Sequence, residues 1–181
     1  MRKYQIIYAD PPWTYRDKAL AGNRGAGCKY PIMSLEDIKN LNVAGGGRID
    51  ENCLLFIWVT MPKLDECFEV IKAWGFEYKT VAFTWVKRNK KAPSWFWGMG
   101  RWTRANAELC LLATRGKPKR ISAAVSSIID TPIEGHSKKP DIVRDRIIQL
   151  VGDLPRLELF ARQKTEGWDV WGNEVKNNLE I

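Results

Sequence analysis

Four residues near the start of the chain, Asp10-Pro11-Pro12-Trp13, combine types that can bind and activate an amino group. They follow the apolar run Gln5-Ile6-Ile7-Tyr8-Ala9, which reads as a buried strand, so they fall at its C-terminal end. In open α/β sheets, ligands gather at that edge. A proline holds the residue before it extended, so the chain can leave the strand without starting a helix. Asp10 then projects a carboxylate. The Pro11 carbonyl is expected to be exposed, since neither proline donates a hydrogen bond. Trp13 offers a flat indole. Two acceptors and an indole suit a planar ring carrying an exocyclic amino group: the acceptors take the two N–H hydrogens and the indole holds the ring. A Pro-Pro pair after a strand also serves as a plain rigid turn, so the rest of the chain must decide.

Two further sets of residues carry chemistry. The C-terminal part holds His136-Ser137-Lys138-Lys139-Pro140, then Leu157-Glu158-Leu159-Phe160-Ala161-Arg162, then Gly167-Trp168-Asp169-Val170-Trp171-Gly172-Asn173-Glu174. Alone, the first could merely cap a helix and the second could be a core strand with one odd acid. The middle of the chain crowds Trp95, Trp97 and Trp102 among Lys87, Arg88, Lys90, Lys91, Arg101 and Arg104. Phosphate contact and base stacking use those two residue types together. Lys90, Lys91, Trp95, Trp97 and Arg101 are therefore candidate nucleic-acid contacts. An excess of 29 Lys and Arg over 21 Asp and Glu, net +8, also favours a polyanionic partner.

These residues need a frame. The 181-residue chain is long enough for one domain with a full core, and no linker or repeat divides 1–181. Strands are expected at 5–9, 53–59, 79–86, 107–113 and 156–161. The continuously apolar Leu54–Val59 suits a strand covered on both faces. Helices are expected at 35–41, 61–74 and 140–151, the second with Pro62 in its first turn and Gly75 as its stop. Alternating strands and helices predict an α/β fold with a mostly parallel, doubly wound sheet. Residues 14–32 and 87–106 fit neither class and read as functional loops.

Other chemistries lack their residues. Cys28, Cys53, Cys67 and Cys110 form no Cys-x-x-Cys, and with His136 as the single histidine no zinc spacing exists, so no metal is expected. There is no Gly-x-Gly-x-x-Gly and no Gly-x-x-x-x-Gly-Lys, the signatures of dinucleotide and nucleoside-triphosphate sites. Met1-Arg2-Lys3-Tyr4 leads straight into the first strand, and no apolar run is long enough to span a bilayer. A cytoplasmic protein with reduced cysteines, away from membranes, is expected.

In order and spacing, these segments resemble the MT-A70 family: the catalytic subunit of the eukaryotic messenger-RNA adenosine methyltransferase and its bacterial and phage DNA relatives. The likeness runs from Ala9-Asp10-Pro11-Pro12-Trp13 through Tyr30-Pro31-Ile32-Met33-Ser34 and Glu108–Gly116 to Gly172-Asn173-Glu174. The compact form looks most like the phage and bacterial members. The resemblance implies methyl transfer from S-adenosylmethionine to the 6-amino group of adenine. It also implies a Rossmann-like class I methyltransferase fold in permuted order, with the catalytic motif before the cofactor motifs. Carried over by position, Asp10, Pro11, Pro12 and Trp13 are catalytic. Ser137 falls within the same cofactor segment as Lys139, which meets the methionine carboxylate; Arg162 and Asn173 bind the ribose hydroxyls; Glu174 lies by the ribose or adenine; Glu158 and Phe160 line the cofactor strand. Several relatives carry an aspartate upstream of the first strand, against the cofactor adenine, for which this sequence offers no counterpart.

The resemblance implies a nucleic-acid substrate, with DNA favoured over RNA, and leaves open a homodimer or an accessory subunit. A catalytically silent binding partner is the alternative, but silent members lose the Asp-Pro-Pro-Trp that this chain keeps. No strong general base is needed, because the methylated ammonium-like product sheds its proton readily. His136 is accordingly read as structural.

Overall fold

The computed structural model describes residues 3–14, 33–100, 102–135 and 138–181. The expectations for the loop at 15–32 and for Cys28, Arg101, His136 and Ser137 lie outside them. The elements in order are β1 (Tyr4–Ala9), α1 (Leu35–Asn40), β2 (Ile49–Val59), α2 (Leu64–Ala73), β3 (Glu77–Arg88), β4 (Glu108–Arg115), β5 (Ile128–Pro132), α3 (Ile142–Val151), β6 (Arg156–Leu159) and β7 (Asp169–Trp171).

The strands form one seven-stranded sheet in the order β5-β3-β4-β2-β1-β6-β7. Neighbours pair in parallel, except that β4 lies antiparallel to both β2 and β3. The expected mostly parallel α/β sheet is what forms. Side chains alternate across it. Ile7, Ala9, Leu55, Ile57 and Val59 face a core that includes Ile38 of α1 and Cys67, Val70 and Ile71 of α2. Ile6, Tyr8, Leu54, Phe56 and Trp58 face a second core with Val143 and Ile147 of α3. Helices thus cover both faces, which is why β2 is apolar without interruption.

Several boundaries move. The helix expected at 61–74 opens with a 3₁₀ turn at Met61–Lys63, where Pro62 sits, before α2 begins. β3 extends to Arg88 and takes the first residues of the expected 87–106 loop. β6 stops at Leu159 rather than at 161, because Phe160 turns to φ 60°. β5 and β7 were not expected at all.

Topology fixes where the chemistry gathers. β1, β2, β6 and β7 all end at one edge of the sheet, at Asp10, Thr60, Phe160 and Gly172. β4 runs the other way, so its first residue, Glu108, reaches that same edge, one step beyond the Leu109–Val59 pair.

Candidate active site

A cleft of about 250 Å³ opens at this edge. Asp10, Pro11, Pro12 and Trp13 line one part; Lys139, Phe160, Arg162, Asn173 and Glu174 line another. Two groups of residues more than a hundred positions apart in sequence therefore share one cavity. Met33, Trp58, Thr60, Glu108 and Trp171 complete the described wall.

The four-residue turn is more tightly built than the sequence suggests. The Pro11 carbonyl is not simply exposed: it accepts the Trp13 N–H at 2.9 Å, leaving one lone pair for a ligand. The Pro12 carbonyl accepts the Met33 N–H at 3.2 Å. Trp13 is buried, its Nε1–H donating to the Trp58 carbonyl at 3.0 Å. It is a fixed wall of the cleft rather than a free stacking plate. These bonds tie down the turn that carries Asp10 at the cavity.

Asp10 is held by Lys139, whose Nζ lies 2.9 Å from its carboxylate. Lys139 Nζ also contacts Glu108 Oε2 at 3.2 Å, and the other Glu108 oxygen accepts from Lys87. Four charges of alternating sign thus run Lys87, Glu108, Lys139, Asp10. Burial raises the Asp10 carboxyl above its ordinary value despite the opposing pull of Lys139. For Glu108, burial acts in the same direction, but Lys139 and Lys87 together outweigh it and hold the group below its ordinary value. Burial works against the Lys139 charge, yet Asp10 and Glu108 keep it raised and the ammonium stays charged.

The second part of the cleft is shaped by two close-packed turns. Phe160 has φ 60°, a left-handed conformation costly for a residue with a side chain and typical of functional sites. Its ring meets the Trp171 ring edge-on, centroids 5.5 Å apart. At Gly172 an added Cβ would fall 2.3 Å from the Ala161 carbonyl oxygen, so only glycine lets the turns after β6 and β7 approach. Arg162 Nε stands 3.8 Å from Glu174 Oε1.

Glu158 departs from its expected place. It does not line the cleft: Arg144 of α3 engages its carboxylate through two hydrogen bonds, at 2.6 and 2.8 Å. Both side chains are buried, and the Arg144 guanidinium lies 5.5 Å from the Tyr8 ring. Glu158 is thus a strut joining β6 to α3. Lys90, Lys91, Trp95 and Trp97 also lie outside the cleft, on the surface loop after β3. That loop is ordered by its own bonds. The Asn106 amide holds the N–H and carbonyl of Lys87, and the Arg104 guanidinium donates to the Trp97 and Gly98 carbonyls. Trp95 packs under the Arg88 guanidinium at 4.0 Å, whereas Trp97 and Trp102 are 55% and 95% exposed.

Sequence reasoning missed Glu108 and Trp171 as site residues. Glu108 was legible only as an acid opening the apolar run Leu109–Ala113. Its arrival beside Asp10 depends on β4 being antiparallel.

A helix-covered, mostly parallel sheet with a carboxylate turn and a second loop pair at one edge is the architecture of a Rossmann-like methyltransferase fold. The family profile described as MT-A70 matches residues 4–174, and the chain belongs to that family and is a methyltransferase enzyme. It is similar to the type II methyltransferase M.MunI of Mycoplasma sp, 35% identical over 199 residues, covering 99% of this chain and 82% of that protein. It is also similar to the human N(6)-adenosine-methyltransferase catalytic subunit METTL3, 25% identical, covering 96% of this chain but 28% of that one. With the mouse N(6)-adenine-specific methyltransferase METTL4 it shares 29% identity over 96% of this chain and 38% of the other. No helix among the described residues is long and apolar enough to cross a membrane.

Proposed function

We propose that this enzyme transfers a methyl group from S-adenosylmethionine to the 6-amino group of adenine in DNA. The observation that carries the proposal is the shared cleft, which brings the Asp10-Pro11 acceptors together with Lys139, Phe160, Arg162 and Asn173. DNA is favoured because the chain is 35% identical to a type II methyltransferase and 25% identical to METTL3.

The second part of the cleft fits the cofactor by its donor set. Lys139 and Arg162 offer cationic donors, Asn173 an amide, Glu174 an acceptor, and Phe160 and Trp171 apolar walls. A molecule with a carboxylate, ribose hydroxyls and an aromatic base uses each of these. Lys139 would hold the carboxylate, and Arg162, Asn173 and Glu174 the ribose and adenine. When bound, the cofactor supplies a methyl group activated on a sulfonium. Asn173→Ala is expected to weaken S-adenosylhomocysteine binding about tenfold, the upper end for the loss of one hydrogen bond. Calorimetry measures it, and unchanged affinity would move the cofactor elsewhere.

On the substrate side, an aromatic amine is a poor nucleophile because its lone pair is delocalised into the ring. Asp10 and the remaining lone pair of the Pro11 carbonyl accept its two N–H hydrogens and orient the nitrogen. As the nitrogen gains positive charge, the Asp10 carboxylate stabilises it, a preorganised electrostatic effect. Fixing the reactants adds to this. A paired adenine buries its amino group in the duplex, so the target base must be flipped out or single-stranded.

The loop after β3 ends at the same sheet edge and offers Lys90, Lys91 and Trp97 to the nucleic acid. Replacing Lys90 and Lys91 with Ala should weaken binding to all sequences and flatten its salt dependence, because fewer counterions are released. Trp97→Ala should leave the salt slope unchanged and cost about 1–3 kcal/mol of affinity, as for a stacked base. Its exposure means the melting temperature should stay near wild type. A lowered melting temperature with normal affinity would make Trp97 a packing residue instead.

Mass spectrometry of nucleosides from a host expressing the chain tests the whole reading. Methylated deoxyadenosine is the expected product. Methylated adenosine confined to RNA would change the substrate, and neither product would overturn the assignment.

A further inference from the structure

Lys87 is a lysine of the basic segment that does not face solvent as its neighbours do. Lys90 and Lys91 are exposed, while the Lys87 side chain is only 15% exposed. Its ammonium lies between the Glu108 carboxylate and the Trp85 ring, 5.0 Å from the ring centroid. Its main chain is pinned on both sides by the Asn106 amide, at 2.9 Å each. We propose that Lys87 is a positioning residue for methyl transfer: it engages one oxygen of Glu108, so that Lys139 remains shared with Asp10 instead of collapsing onto Glu108. The proposal rests on Asp10 being the acceptor of the target amine.

The geometry carries this. Glu108 offers Oε1 to Lys87 and Oε2 to Lys139, and Lys139 divides its ammonium between Glu108 at 3.2 Å and Asp10 at 2.9 Å. Two anions compete for Lys139. A Glu108 with a second cation of its own is the weaker competitor, so Lys139 sits closer to Asp10. Without Lys87, Glu108 would be one full charge facing one ammonium in a site where charges are poorly screened. Lys139 would then move toward Glu108, and Asp10 would lose the cation that offsets its burial. The groups acting on Asp10 come from several elements: Lys139 before α3, Glu108 and the Cys110 thiol on β4, Glu158 on β6 and Arg162 after it. Lys139 is bonded to Asp10 and shared with Glu108, and Lys87 bonds that same Glu108, so it acts on Asp10 through the pair.

The test follows the Asp10 side-chain carboxyl carbon by NMR titration of the cofactor-free protein, so it needs no turnover. K87M is expected to raise the Asp10 midpoint by roughly half a unit or more, a fraction of the 1–3 units that an adjacent charge exerts. K87R, which keeps the charge, should titrate near wild type. E108Q should lower the Asp10 midpoint, since Lys139 then belongs to Asp10 alone. In K87M/E108Q the effect of the lysine should vanish, because it acts through Glu108; such non-additivity is the mark of a shared network. An Asp10 midpoint unmoved in K87M, or a K87M shift of the same size with and without Glu108, overturns the proposal. If K87M does not fold, K87Q, alone and combined with E108Q, is read by the same criteria. An active D10A variant would sink the role of Asp10 while leaving the titration result intact, so the two failures are distinguishable.

Discussion

Asp10→Asn is expected to lower the methyl-transfer rate by ~10²–10³-fold, and Asp10→Ala to abolish it, the scale of losing one preorganised charge from a transition state. The asparagine keeps the shape of the turn, in which Pro11 and Pro12 are bonded to Trp13 and Met33. It removes the charge that Lys139 engages and turns one acceptor into an NH2 donor. Affinity for S-adenosylhomocysteine should stay within a few-fold in both variants, because Arg162, Asn173 and Glu174 are untouched and Lys139, relieved of Asp10, keeps its charge for the cofactor carboxylate. The wild-type rate should fall on the acid side at a pH above the ordinary aspartate value. Burial raises the Asp10 carboxyl, and protonation removes the stabilising charge as the pH drops through that raised value. Single-turnover rates across pH, with calorimetry of cofactor binding, measure all of this. Wild-type turnover in Asp10→Asn would remove Asp10 from the chemistry.

Glu158→Leu is expected to destabilise the fold by about 3–5 kcal/mol, the cost of stranding a buried charge. Among the described residues Arg144 would keep the exposed Asp141, at 2.9 Å, and the Tyr8 ring, while its side chain stays 10% exposed. Arg144→Leu should cost a similar amount by stranding Glu158, whose carboxyl burial already raises. Changing both to Leu should recover most of the loss, since an apolar pair of similar volume replaces a buried ion pair at little net cost. Urea denaturation of the three variants gives the comparison. Equal, additive losses would mean that the two side chains are not coupled. A selective loss of cofactor affinity with normal stability would instead return Glu158 to the cofactor site.

The legible parts of this molecule were those with a local cause. Leu54–Val59 had to be a doubly covered strand because each face needed apolar residues. Asp10-Pro11-Pro12-Trp13 had to leave a strand extended because of its prolines. What stayed hidden depended on long-range pairing. β7 is three residues long, too short for any period to show. β5 carries Asp130 and Pro132, and as an edge strand it buries only Ile129. Nothing about a phenylalanine announces the left-handed backbone at Phe160. Lys139 could be read as a cation for a ligand but not as the partner of Asp10, 129 positions away. Glu158 was placed at the cofactor by the family resemblance, while the residues around it allowed a core strand with one odd acid. The reason for that acid was Arg144, which the sequence presents only as one more polar position on a helix.

The nine tryptophans divide the molecule optically. Trp13, Trp58, Trp74, Trp85 and Trp168 are buried, so their emission is blue and no dissolved quencher reaches them. Trp171 is part-buried in the cleft wall, and Trp95, Trp97 and Trp102 are the exposed ones, on one basic loop, expected to supply most of the red edge of the spectrum. Iodide is an anion drawn to the surrounding lysines and arginines, so its quenching is expected to report chiefly the loop. The protein therefore carries its own fluorophore at the surface proposed to meet nucleic acid, and occupancy of that surface can be followed without attaching a dye.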